Sequence, residues 1–299
     1  MEGVDMHPDQ LVVTVDMVRA LVDEQFSDWR GLKIEPVASA GTVNALFRIG
    51  ERLSARFPLE PGNTTSVRHR LQSEADAARM LLGRTRFNTP EPIALGAPSA
   101  GYPLPWAVQT WVPGVVASGV DRGSSDDLAR DLAEFITGVR AIGTGGKIFD
   151  GVGRGGDLSS HDDWIGRCLA QSARLFDVAP FRRLWADLRT LPRESADSMT
   201  HGDLIPGNVL VGLGRLVGVI DVGGLGPADP ALDLVCAWHL FDKPARQALR
   251  SALKCDDLEW ERGKAWAFEQ AMGVVWYYVQ SNPSMSEIGR RTLQRIAAS

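Results

Sequence analysis

The chain has 299 residues, 44% hydrophobic and 23% charged, an ordinary globular composition with enough apolar material for one large domain or two lobes. Its 37 acidic and 32 basic side chains leave a formal net charge of −5, which argues against nucleic acid or an anionic membrane as the main partner, since both require clustered Lys and Arg. Cys168, Cys236 and Cys255 are far apart with no C-x-x-C pair, the pattern of buried thiols in a reducing compartment. The start, Met1-Glu2-Gly3-Val4-Asp5, has no apolar stretch of a secretory signal, and no run of about 20 apolar residues is present, so a cytoplasmic location is expected. Without export, the glycosylation pattern Asn63-Thr64-Thr65 carries no meaning.

In chain order, Val15, Val18, Leu21, Val22 and Phe26 recur at helical spacing behind Thr14, a good N-cap. The period then changes to that of strands: Lys33 to Val37, Ala45 to Ile49, a tight turn at Gly50-Glu51, and Arg52 to Phe57. A helix follows over Val67 to Leu82, with Leu71, Ala75, Ala78 and Leu82 on one face. Pro90 and Pro92 break it, and short strands are expected near Ile93–Leu95 and Trp106–Trp111 before Pro113-Gly114. Helix, three strands, helix, two strands is the order of an antiparallel sheet with a helix packed on it, an α+β lobe. Beyond Pro113 the spacing predicts helices over Leu128–Ile142, Asp163–Phe176, Phe181–Leu191 and Trp260–Val279. Among them lie two short strands, Asn208–Val211 and Leu216–Ile220, joined by Gly212-Leu213-Gly214 as a hairpin. The expected division is 1–112 and 113–299, with a hinge at about 109–114.

The most informative stretch is His201-Gly202-Asp203-Leu204-Ile205-Pro206-Gly207-Asn208, with Asp221 thirteen residues beyond Asn208. Read as H-G-D-L-x-x-x-N followed by V-I-D-V-G, it resembles the catalytic loop and metal-binding aspartate of the protein-kinase-like phosphotransferases. Phosphoryl transfer asks a protein mainly for positioning and charge neutralisation. An aspartate at 203 suits acceptance of a hydroxyl proton, and Asn208 and Asp221 offer the hard oxygens that Mg²⁺ prefers. A hairpin that starts at one ligand and ends at the other is a rigid way of bringing both to one edge. His201 is expected to orient the loop.

Together with Gly226-Pro227-Ala228-Asp229-Pro230-Ala231-Leu232-Asp233-Leu234, these segments resemble the aminoglycoside and macrolide phosphotransferases, the small-molecule branch of the kinase-like fold. The likeness runs from about Val37 to about Phe241. It implies a bilobal α+β fold, with an N-terminal antiparallel sheet lobe, a mainly helical C-terminal lobe, and ATP or GTP bound between them with Mg²⁺. Carried over residue by residue, it makes Asp203 the catalytic base and Asn208 and Asp221 the metal ligands. Ser39, Gly41, Thr42 and Asn44 fall in the loop that covers the phosphates. Arg56 stands where the family usually has a phosphate-contacting Lys; the charge is kept and a bidentate fork is added. Glu74 is the helix glutamate expected to pair with Arg56. Backbone groups of Thr110 and Val112 are expected to bond the purine. Asp229 and Asp233 take supporting roles, Asp229 as a helix N-cap.

The implied function is an ATP- or GTP-dependent transfer of phosphate to a hydroxyl of a small molecule, an antibiotic of the aminoglycoside or macrolide type, with drug resistance as the outcome. A kinase of a non-antibiotic metabolite and a catalytically silent nucleotide-binding module are the alternatives. A protein kinase is disfavoured, because Asp229-Pro230 follows Asp221 within eight residues and no A-P-E segment is present. The run Gly151-Val152-Gly153-Arg154-Gly155-Gly156 neither follows a strand nor opens a helix, and is read as a surface loop rather than a dinucleotide fingerprint. Trp164, Trp238, Trp266, Trp276, Tyr277 and Tyr278 fall in the helical part, to fill its core or to line an apolar pocket.

Overall fold

Residues 10–37, 43–99, 101–119 and 125–298 are described by the computed structural model of the protein. Helix α1 (Val15–Gln25) forms where its apolar residues repeat, burying Val18, Leu21 and Val22, and the Thr14 hydroxyl caps it by accepting the Met17 N–H at 3.2 Å. Strands β1 (Ile34–Pro36), β2 (Asn44–Ile49) and β3 (Leu53–Pro58) follow, then helix α2 (Thr64–Leu81) and strands β4 (Pro92–Gly96) and β5 (Trp106–Thr110). The five strands form one antiparallel sheet in the order β1-β2-β3-β5-β4. The β2–β3 hairpin turns at Gly50, whose φ of 58° suits glycine.

In the core of this sheet, Phe57 stacks on Trp106 with ring centroids 4.8 Å apart, and the buried Tyr102 hydroxyl donates to the Pro58 carbonyl at 2.7 Å. Val67 and Leu71 of α2 join the same core. Asn63, noted for its glycosylation pattern, is the cap of α2: its Oδ1 accepts the Thr65 and Ser66 N–H groups at 3.0 and 3.1 Å.

By contacts the chain divides into two compact units, Met1–Leu82 with Thr89–Pro113, and Gly83–Asn88 with Gly114–Ser299. The second contains β6 (Val115–Val116), α3 (Asp126–Arg140), α4 (Asp162–Ser172), α5 (Ala179–Leu188), β7 (Ser198–Thr200), β8 (Val209–Gly212), β9 (Arg215–Val219), β10 (Gly226–Ala228), α6 (Val235–Leu240), α7 (Lys243–Leu253), α8 (Asp257–Tyr277) and α9 (Pro283–Ala297). Segment 83–88 belongs there because Asn88 N–H donates to the Val217 carbonyl at 3.3 Å and the Asn88 carbonyl accepts Val219 N–H at 3.0 Å. Arg86 also reaches buried Asp131 of α3 at 2.8 Å, and Asp131 in turn holds Arg215 Nε at 2.7 Å and the Leu216 amide at 3.1 Å.

The expected hairpin is β8–β9, turning through Leu213 and Gly214, both at positive φ. Asn208 ends a 3-10 turn just ahead of β8 rather than opening the strand. The short strands β6, β7 and β10 and the helices α7 and α9 have no counterpart in the sequence reading, whereas the helix expected behind Asp229 is a 3-10 turn over Pro230–Leu234 that runs into α6. Strands of two or three residues are too brief to show a period. Helix α8 is buried nearly all round, with Trp266, Phe268, Ala271 and Met272 fully enclosed, and Gly263 admits Leu234, whose Cβ lies 2.5 Å from where a side chain would begin. Among the described residues no helix is long and apolar enough to cross a membrane.

Candidate active site

The catalytic loop leaves β7 at His201 and is fastened from below. Fully buried Asp233 accepts the His201 N–H on Oδ2 and the Gly202 N–H on Oδ1, each at 2.9 Å. Gly202 sits at φ 82°, a conformation that glycine adopts without strain. The His201 ring bridges onward, with Nε2 3.1 Å from the Ile220 carbonyl and Nδ1 accepting the Asp203 N–H at 3.3 Å. A carbonyl on one side and an amide on the other fix the neutral tautomer with its proton on Nε2. His201 therefore sets loop shape, as expected, and ties the loop to the end of β9.

Asn208 joins the rest. Its Nδ2 donates both to the Asp203 carbonyl at 2.9 Å and to Asp203 Oδ2 at 3.0 Å, and its main-chain carbonyl accepts Ile220 N–H at 2.9 Å. Asp203, Asn208 and the residue preceding Asp221 are thus hydrogen-bonded into one cluster. Asp221 is exposed and held at φ 60°, ψ 46°, the left-handed region. A non-glycine residue there costs on the order of 1–3 kcal/mol, and such residues gather at functional sites. Loss of solvent around the Asp203 carboxyl raises its pKa; the charge of Arg154 opposes the rise and that of Asp221 adds to it. The side chain still keeps 37% of its surface, enough to meet a substrate. One amide oxygen and one carboxylate are a fitting protein share for Mg²⁺, which keeps several waters and takes its remaining ligands from phosphate. Among the described residues no group of three or more His, Cys, Asp or Glu side chains is placed to hold a metal.

The loop 151–156 departs from the sequence reading. Gly155 and Gly156 are buried, and the loop packs against the segment that begins at Asp229. Asp229 N–H donates to the Gly155 carbonyl at 2.9 Å, and Arg262 Nη2 donates to the Gly156 carbonyl at 3.0 Å. Gly155, at φ 116°, has no room for a side chain, since its Cβ would meet that of Ala228 at 2.6 Å. The loop delivers Arg154, whose Nη2 lies 3.2 Å from Asp203 Oδ1 and whose Nη1 lies 3.9 Å from buried Glu269. Glu269 Oε1 also meets His161 Nδ1 at 3.0 Å, while His161 Nε2 faces the Gly153 carbonyl at 3.2 Å. With acceptors at both nitrogens, His161 is held as the cation, and its pKa is raised, chiefly by the Glu269 hydrogen bond. Arg154, His161, Glu269 and Gln270 were not singled out from sequence. Two signals were there: one arginine within a glycine run, and adjacent polar residues at 269–270 inside the otherwise apolar stretch 265–276.

Asp229 caps the following turn through Ala231 N–H at 3.0 Å and pairs with buried Arg262, Nη2 to Oδ2 at 2.6 Å. Trp238 and Trp266 are core residues, whereas Trp164 and Trp276 are half-buried neighbours with centroids 6.4 Å apart, and Tyr277 is exposed.

In the first unit, Arg56 lies on β3 between Leu46 and Ala107, and its Nη1 is 3.7 Å from Glu74 of α2. Both side chains are largely enclosed, and Glu74 also meets Arg70 at 3.4 Å. Asn44 opens β2 opposite Pro58. Thr110 ends β5 and donates its N–H to the Glu91 carbonyl at 2.9 Å; Val112 is buried two residues on. Ser39, Gly41 and Thr42 lie outside the described residues.

A family model described as APH, the phosphotransferase enzyme family, matches residues 34–266. The chain belongs to that family. The aminoglycoside 3'-phosphotransferase of Escherichia coli is 26% identical over 204 residues, 60% of this chain and 74% of that protein. The viomycin phosphotransferase of Streptomyces vinaceus is 28% identical over 185 residues, 57% of this chain and 63% of that one. Among solved structures, the GDP complex of wild-type aminoglycoside 2'-phosphotransferase-IIIa matches with a TM-score of 0.70 at 19% identity, covering 94% of this chain and 97% of the other. The apoenzyme of macrolide 2'-phosphotransferase from Brachybacterium faecium matches with a TM-score of 0.62 at 17% identity, covering 93% and 98%. The fold of this phosphotransferase is therefore the kinase-like α+β fold, as the catalytic-loop motif implied.

Proposed function

We propose that this phosphotransferase moves the terminal phosphoryl group of ATP or GTP to a hydroxyl of an antibiotic of the aminoglycoside or macrolide type, and so confers resistance. The reading rests on one observation: Asn208 bonds Asp203 through both its backbone and its carboxylate while receiving the amide that precedes Asp221. The relatives named for antibiotic substrates support the acceptor class, and solved neighbours in complex with GDP, ADP or ATP support a nucleotide co-substrate.

Asp203 accepts the hydrogen bond of the attacking hydroxyl and takes its proton late in the transfer; loss of such a group costs about 10²–10⁴ in rate. Asn208 steadies that carboxylate with Nδ2, which leaves its Oδ1 to act with Asp221 as ligands for Mg²⁺. The ion, when bound, neutralises charge on the terminal phosphates. Arg56, held by Glu74, contacts phosphate oxygens, and Ser39, Gly41, Thr42 and Asn44 cover them. Since the Thr110 amide is committed to Glu91, the purine is met by the Thr110 carbonyl and the Val112 backbone. On this reading residues 1–112 serve the nucleotide and 113–299 the acceptor. Three buried, unpaired thiols support a cytoplasmic setting.

The test is incubation of the purified chain with ATP or GTP, Mg²⁺ and a panel of hydroxylated antibiotics, followed by mass spectrometry. The expected product is an antibiotic carrying one added phosphate. Phosphate on a metabolite hydroxyl alone would replace the acceptor class, and nucleotide binding without transfer to any alcohol would reject the enzyme.

A further inference from the structure

We infer that Arg154 is a positioning residue for the Asp203 base, aimed by a buried run of hydrogen bonds through Gln270, His239 and Thr292. The inference rests on the phosphotransferase reading for what Asp203 does, and on the geometry alone for how Arg154 is held.

The run has one consistent direction. The Thr292 hydroxyl donates to the Ile288 carbonyl at 2.8 Å, so it accepts from His239 Nδ1 at 2.9 Å. His239 is fully enclosed, and burial pushes its pKa down to about 4, so Nε2 carries a lone pair at neutral pH. That lone pair needs a donor, and the Gln270 amide supplies one at 2.9 Å when its nitrogen is turned toward His239. The opposite amide orientation would bring the Gln270 NH₂ group within 3.3 Å of Asp203 Oδ1, but it would set Oε1 against the His239 lone pair and the NH₂ group against the Arg154 guanidinium, donor against donor. In the consistent orientation Gln270 Oε1 accepts from Arg154 Nε at 3.1 Å and Nη2 at 3.0 Å. Nη2 is thereby shared between Gln270 and Asp203 Oδ1, 3.2 Å away. Glu269 faces the other edge of the guanidinium, with Oε2 3.9 Å from Nη1 and Oε1 paired with His161.

This arrangement bears on transfer through Asp203. Asn208 fixes Oδ2 and Arg154 fixes Oδ1, so the carboxylate plane has two anchors from two loops. Neither anchor uses both lone pairs of its oxygen, which leaves the carboxylate able to accept an alcohol proton. The planar fork matters, because one guanidinium must serve Gln270 along its Nε–Nη2 edge and Asp203 with Nη2. The signal for Arg154 is spatial: its partners come from α8 and the catalytic loop, and those on α8 are backed by α6 and α9.

Two measurements test this. Nitrogen-detected NMR of Arg154 reads rotation of its guanidinium without any turnover. Slow rotation is expected in the wild type and faster rotation in Gln270→Leu; free rotation in the wild type overturns the inference even if the enzyme is active. In steady-state kinetics, Arg154→Ala is expected to lose about 10²-fold in kcat, the scale of a small misplacement of a reacting group, with the nucleotide KM unchanged. Arg154→Lys should recover only part of that loss, and added guanidinium should restore rate to Arg154→Ala but not to Asp203→Ala. An Arg154→Ala variant that keeps wild-type kcat, or raises nucleotide KM alone, contradicts the inference. A wild type that rotates slowly yet phosphorylates nothing would fault the functional reading and leave the Arg154 geometry standing.

Discussion

Two loops of the second unit meet at the Asp203 carboxylate, and they are built on opposite plans. The catalytic loop, 200–208, is held by side chains reaching its backbone: Asp233 takes two of its amides and Asn208 one of its carbonyls. The glycine-rich loop, 151–156, is held by its own backbone carbonyls, given to Asp229 N–H, Arg262 and His161. The first plan needs particular residues at fixed spacing and so leaves a motif. The second needs absent side chains, since Gly155 has no space for a Cβ, and leaves only a run of glycines. Both loops nevertheless share one foundation, the turn that begins at Asp229 and includes Asp233.

Variants at that foundation can separate the two plans. The largest effect on stability is expected from Arg262→Ala, which strands buried Asp229 and frees the Gly156 carbonyl; loss of one partner from a buried pair costs about 3–5 kcal/mol. Denaturant midpoints should show it, and a loss below about 1 kcal/mol would mean that the glycine-rich loop is anchored elsewhere. Asp233→Ala leaves the His201 and Gly202 amides without an acceptor, at about 1–3 kcal/mol each. Here activity should fall further than stability, because the proposed base, Asp203, itself moves; unchanged kcat would break the account of that loop. A smaller effect is expected with pH. His161 has its pKa raised above the ordinary 6.5, first by the Glu269 hydrogen bond. Its contribution to stability is therefore complete below the ordinary histidine range and is lost as pH rises through the elevated folded value. The difference in melting temperature between wild type and His161→Gln should narrow from pH 6 towards alkaline pH. A difference that widens would place the proton elsewhere than between Glu269 and Gly153. The smallest change belongs to the first unit, where Asn63→Ala should cost about 1 kcal/mol by uncapping α2.

The same contrast explains what the sequence disclosed. The α+β order of the first unit was legible because β2, β3, β4, β5 and α2 are long enough to show their periods. Asp203, Asn208 and Asp221 stood out because the base and oxygen ligands proposed for them need fixed residue types at fixed spacing. Arg56 and Glu74 could be matched only through resemblance, and their 3.7 Å approach joins a strand to a helix eighteen positions on. Arg154 stood out only as a lone arginine in a glycine run, with nothing to say what it meets. Its partners Asp203, Glu269 and Gln270 lie far along the chain, and nothing in the local spacing of a glycine run marks a cation aimed at a carboxylate. By contrast α7 and α9 are clearly amphipathic, burying Ala245 and Leu249 in one and Leu293 and Ile296 in the other, so their period was present in the sequence though the reading passed over it.

The central claim is that the Asp203 carboxylate serves the hydroxyl and not the nucleotide. Its most direct test is a paired measurement on Asp203→Ala: phosphate delivered to an accepted antibiotic, and nucleotide affinity by calorimetric titration. Transfer should fall by about 10²–10⁴ while nucleotide affinity stays at the wild-type value. Transfer at the wild-type rate, or a loss explained wholly by weakened nucleotide binding, would contradict it.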